Sequence, residues 1–167
     1  MSNFTHIDTQ GRVRMVDVTE KKPTLRIAVA QGTVSMNSAT LEKIMNQATA
    51  KGNVLETARI AGIMAAKKTS GLIPLCHPLN IGHITIDFFP DKTKNIIRIE
   101  STVRIIDQTG VEMEALTAVS IAGLTIYDMC KSYDREMIIS DICLLEKSGG
   151  KSGVFVRKKP ELKDAIE

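Results

Sequence analysis

Residues 83–105 read HITIDFFPDKTKNIIRIESTVRI and predict a β-hairpin. Apolar side chains occupy alternate positions from Ile84 to Phe88, which is typical of a half-buried strand. The alternation returns at Ile97 and continues to Ile105, and the polar segment 90–95 supplies the turn between the two runs. We therefore expect two antiparallel strands that bury one face of the hairpin.

The segments on either side of the hairpin predict one further strand before it, one after it, and three helices. Ser38 and Asn53 are suited to cap the first two helices, because their side chains can accept a hydrogen bond from an unpaired helical N–H. The order β-α-α-β-β-α-β predicts an α+β fold, with a ferredoxin-like sheet of four antiparallel strands and helices on one face. The predicted elements are a strand at 25–35, helices at 39–49, 54–67 and 112–133, and a strand at 137–145.

A single domain is predicted over residues 25–156, since a chain of 167 residues has the length of one domain. Residues 1–24 are polar without a sustained period and predict a mobile arm, and the charged tail 157–167 is expected to fray. Residues 147–153 read KSGGKSG and predict a flexible loop. This loop is not a P-loop, because Leu145 stands where that motif needs glycine.

Composition argues against several classes of protein. The 22 Lys and Arg against 19 Asp and Glu give a net charge of +3, which is too weak for nucleic-acid binding by bulk charge. With no Trp, two Tyr and four Phe, the chain is poorly supplied for stacking on RNA bases. No apolar run approaches the roughly 18–20 residues of a membrane span. Residues 1–10 lack a basic stretch followed by an apolar one, so we expect no secretory signal. Three widely spaced cysteines argue against a disulfide framework or zinc ribbon, so we expect a cytoplasmic protein without a metal site.

The predicted helix 112–133 has an unusual composition, since no residue from Ala115 to Tyr127 is charged. A helix on the surface of a single subunit would carry a polar stripe. We therefore expect this helix to be covered on more than one side, and we infer a subunit interface.

Asp128 and Lys131 lie three residues apart near the end of that helix and share one face. We expect Asp128 to be partly desolvated, because it follows the uncharged stretch. Burial would raise its pKa and the Lys131 ammonium would lower it again, so the pair is suited to exchange a proton with a substrate. A structural ion pair at a helix C-terminus explains the same spacing.

Other charged groups are suited either to a ligand or to an ordinary structural role. Glu112, Met113 and Glu114 open the long helix, where acidic residues complement the helix dipole or hold a polar ring by its N–H edge. Lys51 lies just before the predicted second helix, where a phosphate could sit, although most lysines are only solvated surface charges. The lysines of loop 147–153 either close over phosphates or belong to a plain flexible end.

Prolines at both ends stiffen the segment 73–79, which contains Leu75, Cys76 and His77. In one interpretation Cys76 is a nucleophile with His77 as its base. In a second the loop contacts a ligand, and His77 donates to an anion or moves a proton. A packed turn is the third interpretation.

Six motifs in this order resemble the molybdenum-cofactor biosynthesis protein C family, the cyclic pyranopterin monophosphate synthases. The resemblance covers about residues 15–153. Val154 departs from the acidic residue of many relatives, and segment 131–136 is more charged than the family pattern. The motifs are MVDVT at 15–19, KGNVLETARIAGIMAAK at 51–67, IPLCHPL at 73–79, TGVEMEALT at 109–117, LTIYDMCK at 124–131 and KSGGKSG at 147–153.

The resemblance implies a lyase-type synthase with a ferredoxin-like subunit, assembled as a homohexamer, a trimer of dimers, with active sites at a dimer interface. The implied substrate is a 3′,8-cyclised dihydro-GTP made by a partner radical enzyme, and pyrophosphate is released. No cofactor is implied, although Mg²⁺ could accompany the triphosphate. Motif matches imply catalytic roles for Asp128, Lys51 and Lys131, and substrate contacts for Leu75, Cys76, His77, Glu112, Met113 and Glu114.

Two other functions compete with a synthase on the residues alone. A regulatory module that binds a nucleotide without turning it over explains the fold, the oligomer and the lysines, but it does not need the pair of Asp128 and Lys131. An RNA-binding ferredoxin-like domain needs exposed aromatic residues that the chain lacks. We therefore expect an enzyme.

Overall fold

The predicted hairpin is present in the computed structural model, which describes residues 10–158. Its strands pair antiparallel, from His83 opposite Arg104 to Asp91 opposite Ile96. The outer parts of the predicted arm and tail, residues 1–9 and 159–167, lie outside the described residues. The elements are β1 (Thr24–Ser35), α1 (Ser38–Met45), α2 (Val54–Ala66), α3 (Thr69–Leu72), β2 (His83–Asp91), β3 (Ile96–Asp107), α4 (Glu112–Cys130), β4 (Ile138–Ser148) and β5 (Phe155–Val156).

One antiparallel sheet carries the strands in the order β2-β3-β1-β4-β5. The first four strands have the ferredoxin-like arrangement, with β1 between β3 and β4, which confirms the predicted fold class. The predicted number of four strands is wrong, because Phe155 and Val156 turn back and pair with Lys147 and Glu146. The predicted number of three helices is also wrong, because the one-turn helix α3 follows α2. A strand of two residues is too short to be recognised from alternation.

The helices cover one face of the sheet, with α2 over β2 and α4 over β3, β1 and β4. The middle residues of β1 that face α4 are small: Ala28 and Ala30 are buried, and a Cβ atom at Gly32 would lie 2.6 Å from the Val119 side chain. Small side chains on β1 therefore let α4 lie close to the sheet. The larger Leu25 of the same strand faces away and is exposed.

The first helix differs from its prediction at both ends. Asn37 rather than Ser38 is its N-cap, because the Asn37 side-chain oxygen accepts from the Thr40 N–H at 2.7 Å. The helix has eight residues and stops before Gln47, well short of the predicted end at residue 49. Gln47 has a left-handed φ of 52°, which a right-handed helix cannot include.

The later elements follow their predictions more closely. Asn53 caps α2 as predicted and accepts from the Glu56 N–H at 3.1 Å. α4 ends earlier than predicted, since the N–H groups that follow turn back onto the Cys130 carbonyl. β4 runs through Ser148, so the first two residues of the predicted loop 147–153 belong to a strand that pairs with β1 and β5.

The composition of α4 matches its place in the core. It is long and apolar enough to cross a membrane, so the prediction that no apolar segment approaches that length is wrong, because the few charged residues lie near its ends. Half of its most apolar window is buried inside the domain, as in the core helix of a folded protein. One side of it is uncovered, and we define the open stripe of α4 as Met113, Thr117, Ile121 and Leu124. Met113 and Leu124 are 37% and 53% exposed. That a second subunit covers this helix stays a prediction.

Candidate active site

The three predicted catalytic residues meet at the C-terminal end of α4. The Lys131 ammonium donates to Asp128 Oδ1 at 2.7 Å. The Lys51 ammonium donates to the Asp128 main-chain carbonyl at 2.9 Å and to Oδ2 at 3.4 Å. Lys51, Asp128 and Lys131 form the lysine–aspartate cluster.

A tight turn places Lys51 beside α4. Lys51 belongs to the connection between α1 and α2, where Gly52 has a left-handed φ of 87°. The Thr49 hydroxyl donates to the Gly52 carbonyl at 2.5 Å, and the Gly52 N–H donates back to Thr49. This turn directs the Lys51 ammonium toward the last turn of α4.

The cluster is open to solvent in one subunit. The Asp128 side chain is 60% exposed, so the predicted desolvation of this carboxylate is wrong for a single chain. The reason is its position, which continues the open stripe one helical turn beyond Leu124. Hydrogen bonds from Lys131 and Lys51 hold the pKa of Asp128 below its usual range, and Asp128 raises the pKa of Lys131. At neutral pH an ionised carboxylate therefore lies between two ammonium groups.

A pocket of about 230 Å³ lies at the other end of α4. The described part of the predicted arm lines it through Val16, Val18 and Lys21. The structure thus brings together the proline-bounded loop and the acidic first turn of α4, while the roles of their residues stay predictions. All six predicted substrate contacts line this pocket: Leu75, Cys76, His77, Glu112, Met113 and Glu114.

Glu114 is the unusual group of this pocket, since only 3% of it is exposed. Burial, with a smaller contribution from the charge of Glu112, raises the pKa of Glu114 to about 7. A residue that only complements the helix dipole would stay in water. The burial of Glu114 therefore favours the alternative in which this carboxyl contacts a ligand, as an acceptor when it is ionised.

The loop opposite Glu114 is not arranged for nucleophilic catalysis. Burial and the neighbouring Glu114 raise the pKa of the Cys76 thiol, whereas a reactive cysteine needs a lowered pKa. His77 Nε2 donates to the Val16 carbonyl at 2.9 Å, which orients the imidazole and ties the loop to the segment before β1. The geometry favours a loop that contacts a ligand.

A second pocket, of about 270 Å³, adjoins the first and shares Lys21 and Glu112 with it. Its other basic residues are Arg26, Lys147 and Lys151. Sequence reasoning missed Lys21 and Arg26. Arg26 occupies an ordinary polar position of an alternating strand, and Lys21 belongs to none of the motifs. The pairing of β1 with β4 brings Arg26 beside the glycine loop.

Two glycines let that loop approach Arg26. Gly149 and Gly150 have left-handed φ values of 97° and 70°. A Cβ atom at Gly150 would overlap the Arg26 guanidinium, which itself donates to the carbonyls of Asp107 and Gln108 at 3.3 and 3.0 Å. The glycines are therefore needed for the contact with Arg26. The flexibility of the loop stays a prediction.

The pocket and the cluster are far apart in one subunit. Glu114 and Asp128 lie on the first and last turns of α4, about 20 Å apart along its axis at about 1.5 Å per residue. One small molecule cannot place the same reacting atoms against both. Within residues 10–158, no group of three or more His, Cys, Asp or Glu side chains is placed to hold a metal ion.

A model of the MoaC family matches residues 15–150, a range that contains the pocket and the cluster. The chain belongs to the MoaC family. The match confirms the resemblance that the six motifs indicate, and it includes Arg26 and part of the basic pocket. MoaC-family relatives with high identity cover nearly the whole chain.

These relatives carry the name cyclic pyranopterin monophosphate synthase. The protein from Desulforapulum autotrophicum is 62% identical over 156 residues, which cover 93% of this chain and 96% of the relative. The protein from Desulfatibacillum aliphaticivorans is 61% identical over 158 residues, or 95% of this chain and 99% of the relative. The protein from Pelotomaculum thermopropionicum is 57% identical over 161 residues, which cover 96% of this chain and 95% of the relative.

Proposed function

We propose that the chain is a cyclic pyranopterin monophosphate synthase, a lyase of molybdenum cofactor biosynthesis that acts in the cytoplasm. It converts (8S)-3′,8-cyclo-7,8-dihydroguanosine 5′-triphosphate, supplied by a radical enzyme, to cyclic pyranopterin monophosphate and pyrophosphate. The observation that carries the proposal is the lysine–aspartate cluster in a MoaC-family chain whose relatives have this name.

The basic pocket supports binding of the triphosphate. Arg26, Lys147 and Lys151 are cationic, and a substrate with several negative charges needs such groups before its ring can be held in place. Ammonium and guanidinium groups also stabilise the charge that develops on the leaving pyrophosphate. No cofactor is required, and Mg²⁺ can accompany the phosphates, whose oxygens are its preferred ligands.

The buried carboxyl supports recognition of the guanine-derived ring. An ionised Glu114 accepts hydrogen bonds from the N–H edge of the ring, and burial strengthens these bonds because water does not compete for them. Leu75, Cys76, His77 and Met113 form the walls around that edge.

The lysine–aspartate cluster supports the proton transfers. The five-membered purine ring must open and a pterin ring must form, and both changes move protons at nitrogen and carbon. The ionised carboxylate of Asp128 accepts a proton, and Lys51 or Lys131 returns one. The cyclic phosphate forms when a sugar hydroxyl attacks the α-phosphorus in line and displaces pyrophosphate, a step that depends mainly on positioning.

We also propose that each active site lies between two subunits of a homohexamer built as a trimer of dimers. The separation of about 20 Å between Glu114 and Asp128 supports this. When two α4 helices pack antiparallel about a two-fold axis, the first turn of one, with Glu114, lies beside the last turn of the other, with Asp128. The open stripe from Met113 to Leu124 runs between those ends and is apolar enough to be covered.

A discontinuous assay with the cyclised dihydro-GTP tests the function. We expect the wild-type protein to release pyrophosphate and to yield a pterin that fluoresces after oxidation, and we expect Asp128→Asn to yield neither at a comparable rate. Saturable binding without product in the wild type would contradict the proposal and would favour the nucleotide-binding module. Steeply salt-dependent RNA binding without product would favour the RNA-binding domain instead.

A further inference from the structure

Tyr133 connects two segments that carry the lysines of the cluster. It lies in the turn that follows α4, where its N–H donates to the Cys130 carbonyl at 2.8 Å. Its hydroxyl accepts from the Ala50 N–H at 3.1 Å. Ala50 directly precedes Lys51, and Lys131 opens the same turn as Tyr133. One side chain therefore links the backbone beside one lysine to the turn that holds the other.

The segment that carries Lys51 depends on such a link. Ala50, Lys51 and Gly52 are all exposed and belong to neither a helix nor a strand. The hydrogen bonds between Thr49 and Gly52 close the turn from within but do not fix it to the rest of the domain. The Ala50 N–H bond anchors the main chain of this segment to another element.

The turn after α4 is itself firmly held. Asp134 is 7% exposed, and its carboxylate accepts from the Asn37 N–H at 2.7 Å and from the Glu136 N–H at 3.0 Å. The Lys43 ammonium of α1 lies 5.2 Å from the centre of the Tyr133 ring, within range of a cation–π contact. The Tyr133 hydroxyl is therefore fixed relative to α1 and to the end of α4.

We propose that Tyr133 is a positioning residue for the reaction: its hydroxyl holds Ala50 so that the Lys51 ammonium stays at Oδ2 of Asp128 while Lys131 holds Oδ1. This inference rests on the proposed function, because it takes the cluster as catalytic.

Tyr133→Phe tests the inference, because it removes the hydroxyl and keeps the ring under Lys43. Hydrogen–deuterium exchange of peptides covering residues 46–53 should become about 3- to 10-fold faster, the range expected for the loss of one hydrogen bond. The kcat should fall by about the same factor with KM changed by less than about twofold, since Lys51 acts on the reaction rather than on binding.

Tyr127→Phe is the matched control, because Tyr127 is the only other tyrosine of the chain and donates to the Arg135 carbonyl at 3.2 Å. We expect it to leave exchange over residues 46–53 unchanged. In a Lys51→Ala background, Tyr133→Phe should cause no further loss of kcat, since its effect passes through Lys51.

Unchanged exchange in Tyr133→Phe would overturn the inference, and so would faster exchange with a wild-type kcat. A further severalfold loss of kcat in the Lys51→Ala background would also overturn it. If the wild-type chain forms no product, the proposed function fails while the exchange comparison still decides whether the Tyr133 hydroxyl holds the segment of Lys51.

Discussion

At its first turn α4 buries Glu114, and at its last turn it exposes Asp128 between Lys51 and Lys131. Burial raises the pKa of Glu114 to about 7, whereas hydrogen bonds from lysines lower the pKa of Asp128. One helix thus carries two carboxyl groups whose pKa values are shifted in opposite directions. Such separation suits two acids to different tasks, and the tasks we propose are contact with the ring for Glu114 and proton exchange for Asp128.

The difference also concerns stability. A buried carboxyl affects folding strongly through its own ionisation, while an exposed ion pair contributes little. A change at Asp128 should therefore alter activity but not the free energy of unfolding, whereas a change at Glu114 should alter both.

The largest effect is expected from Asp128→Asn, which removes the carboxylate that we propose exchanges protons with the substrate. Turnover should fall by about 10²- to 10⁴-fold, the usual contribution of general acid–base catalysis. The melting temperature and the oligomer size should stay near those of the wild type, because the side chain is exposed.

Pyrophosphate release, thermal unfolding and size-exclusion chromatography measure these three quantities. Lys51→Ala and Lys131→Ala should behave in the same way. Loss of assembly in these variants would mean that the residues belong to an interface and have no catalytic role, and wild-type turnover in Asp128→Asn would remove Asp128 from the mechanism.

Glu114→Gln should change stability in a pH-dependent way. The folded-state pKa of Glu114 is raised from 4.5 to about 7, so the folded wild type binds the extra proton and loses stability as pH rises through that range. The variant cannot ionise, so its free energy of unfolding should exceed that of the wild type at pH 8 by up to about 3 kcal/mol and match it near pH 4, below the unfolded pKa.

Denaturant unfolding at the two pH values measures this difference. Asp128→Asn is the control and should show no gain of stability at pH 8. If Glu114→Gln changes the free energy of unfolding equally at both pH values, ionisation of Glu114 does not destabilise the folded protein.

The activity of the wild type should rise with pH as Glu114 ionises. If the ionised carboxyl holds the ring, kcat/KM should increase about tenfold from pH 6 to pH 8, as expected for a group that titrates near 7. Glu114→Gln should lower kcat/KM and remove this rise. A rise of the same size in the variant would assign the titration to another group.

The smallest effect is expected from Glu112→Gln. It removes a nearby negative charge that raises the pKa of Glu114, so the rise in kcat/KM should move to lower pH. This shift of the pH profile should be small, because burial contributes more than the charge of Glu112 to the raised pKa of Glu114. A pH profile compared with that of the wild type measures it, and a move to higher pH would contradict the assignment.

Much of the fold was predictable because its signals are local. Alternation in residues 83–105 is enough for the hairpin, and the β-α-α-β-β-α-β order is enough for the ferredoxin-like sheet. β5 and the N-cap Asn37 were missed for different reasons. A two-residue strand has no period, and two neighbouring residues, Asn37 and Ser38, are both suited to cap a helix.

The candidate site was predictable where its residues are near each other in sequence. Asp128 and Lys131 face the same way because of helical spacing, and the contact between them is confirmed. The contact of Lys51 with Asp128 depends on how α2 and the turn before it lie beside α4, and only the resemblance indicated it. Arg26 reaches the glycine loop through strand pairing, which no local pattern reports. The burial of Glu114 likewise depends on the tertiary fold.

We propose that one active site takes the lysine–aspartate cluster from one subunit and the Glu114 pocket from another. Co-expression of Asp128→Asn subunits with Glu114→Ala subunits tests it most directly. Each variant alone should have little activity, and random mixing should restore about one quarter of the wild-type sites, because half of the dimers are mixed and each has one intact site. Activity no higher than the average of the two parents would contradict the claim and would place the whole site within one subunit.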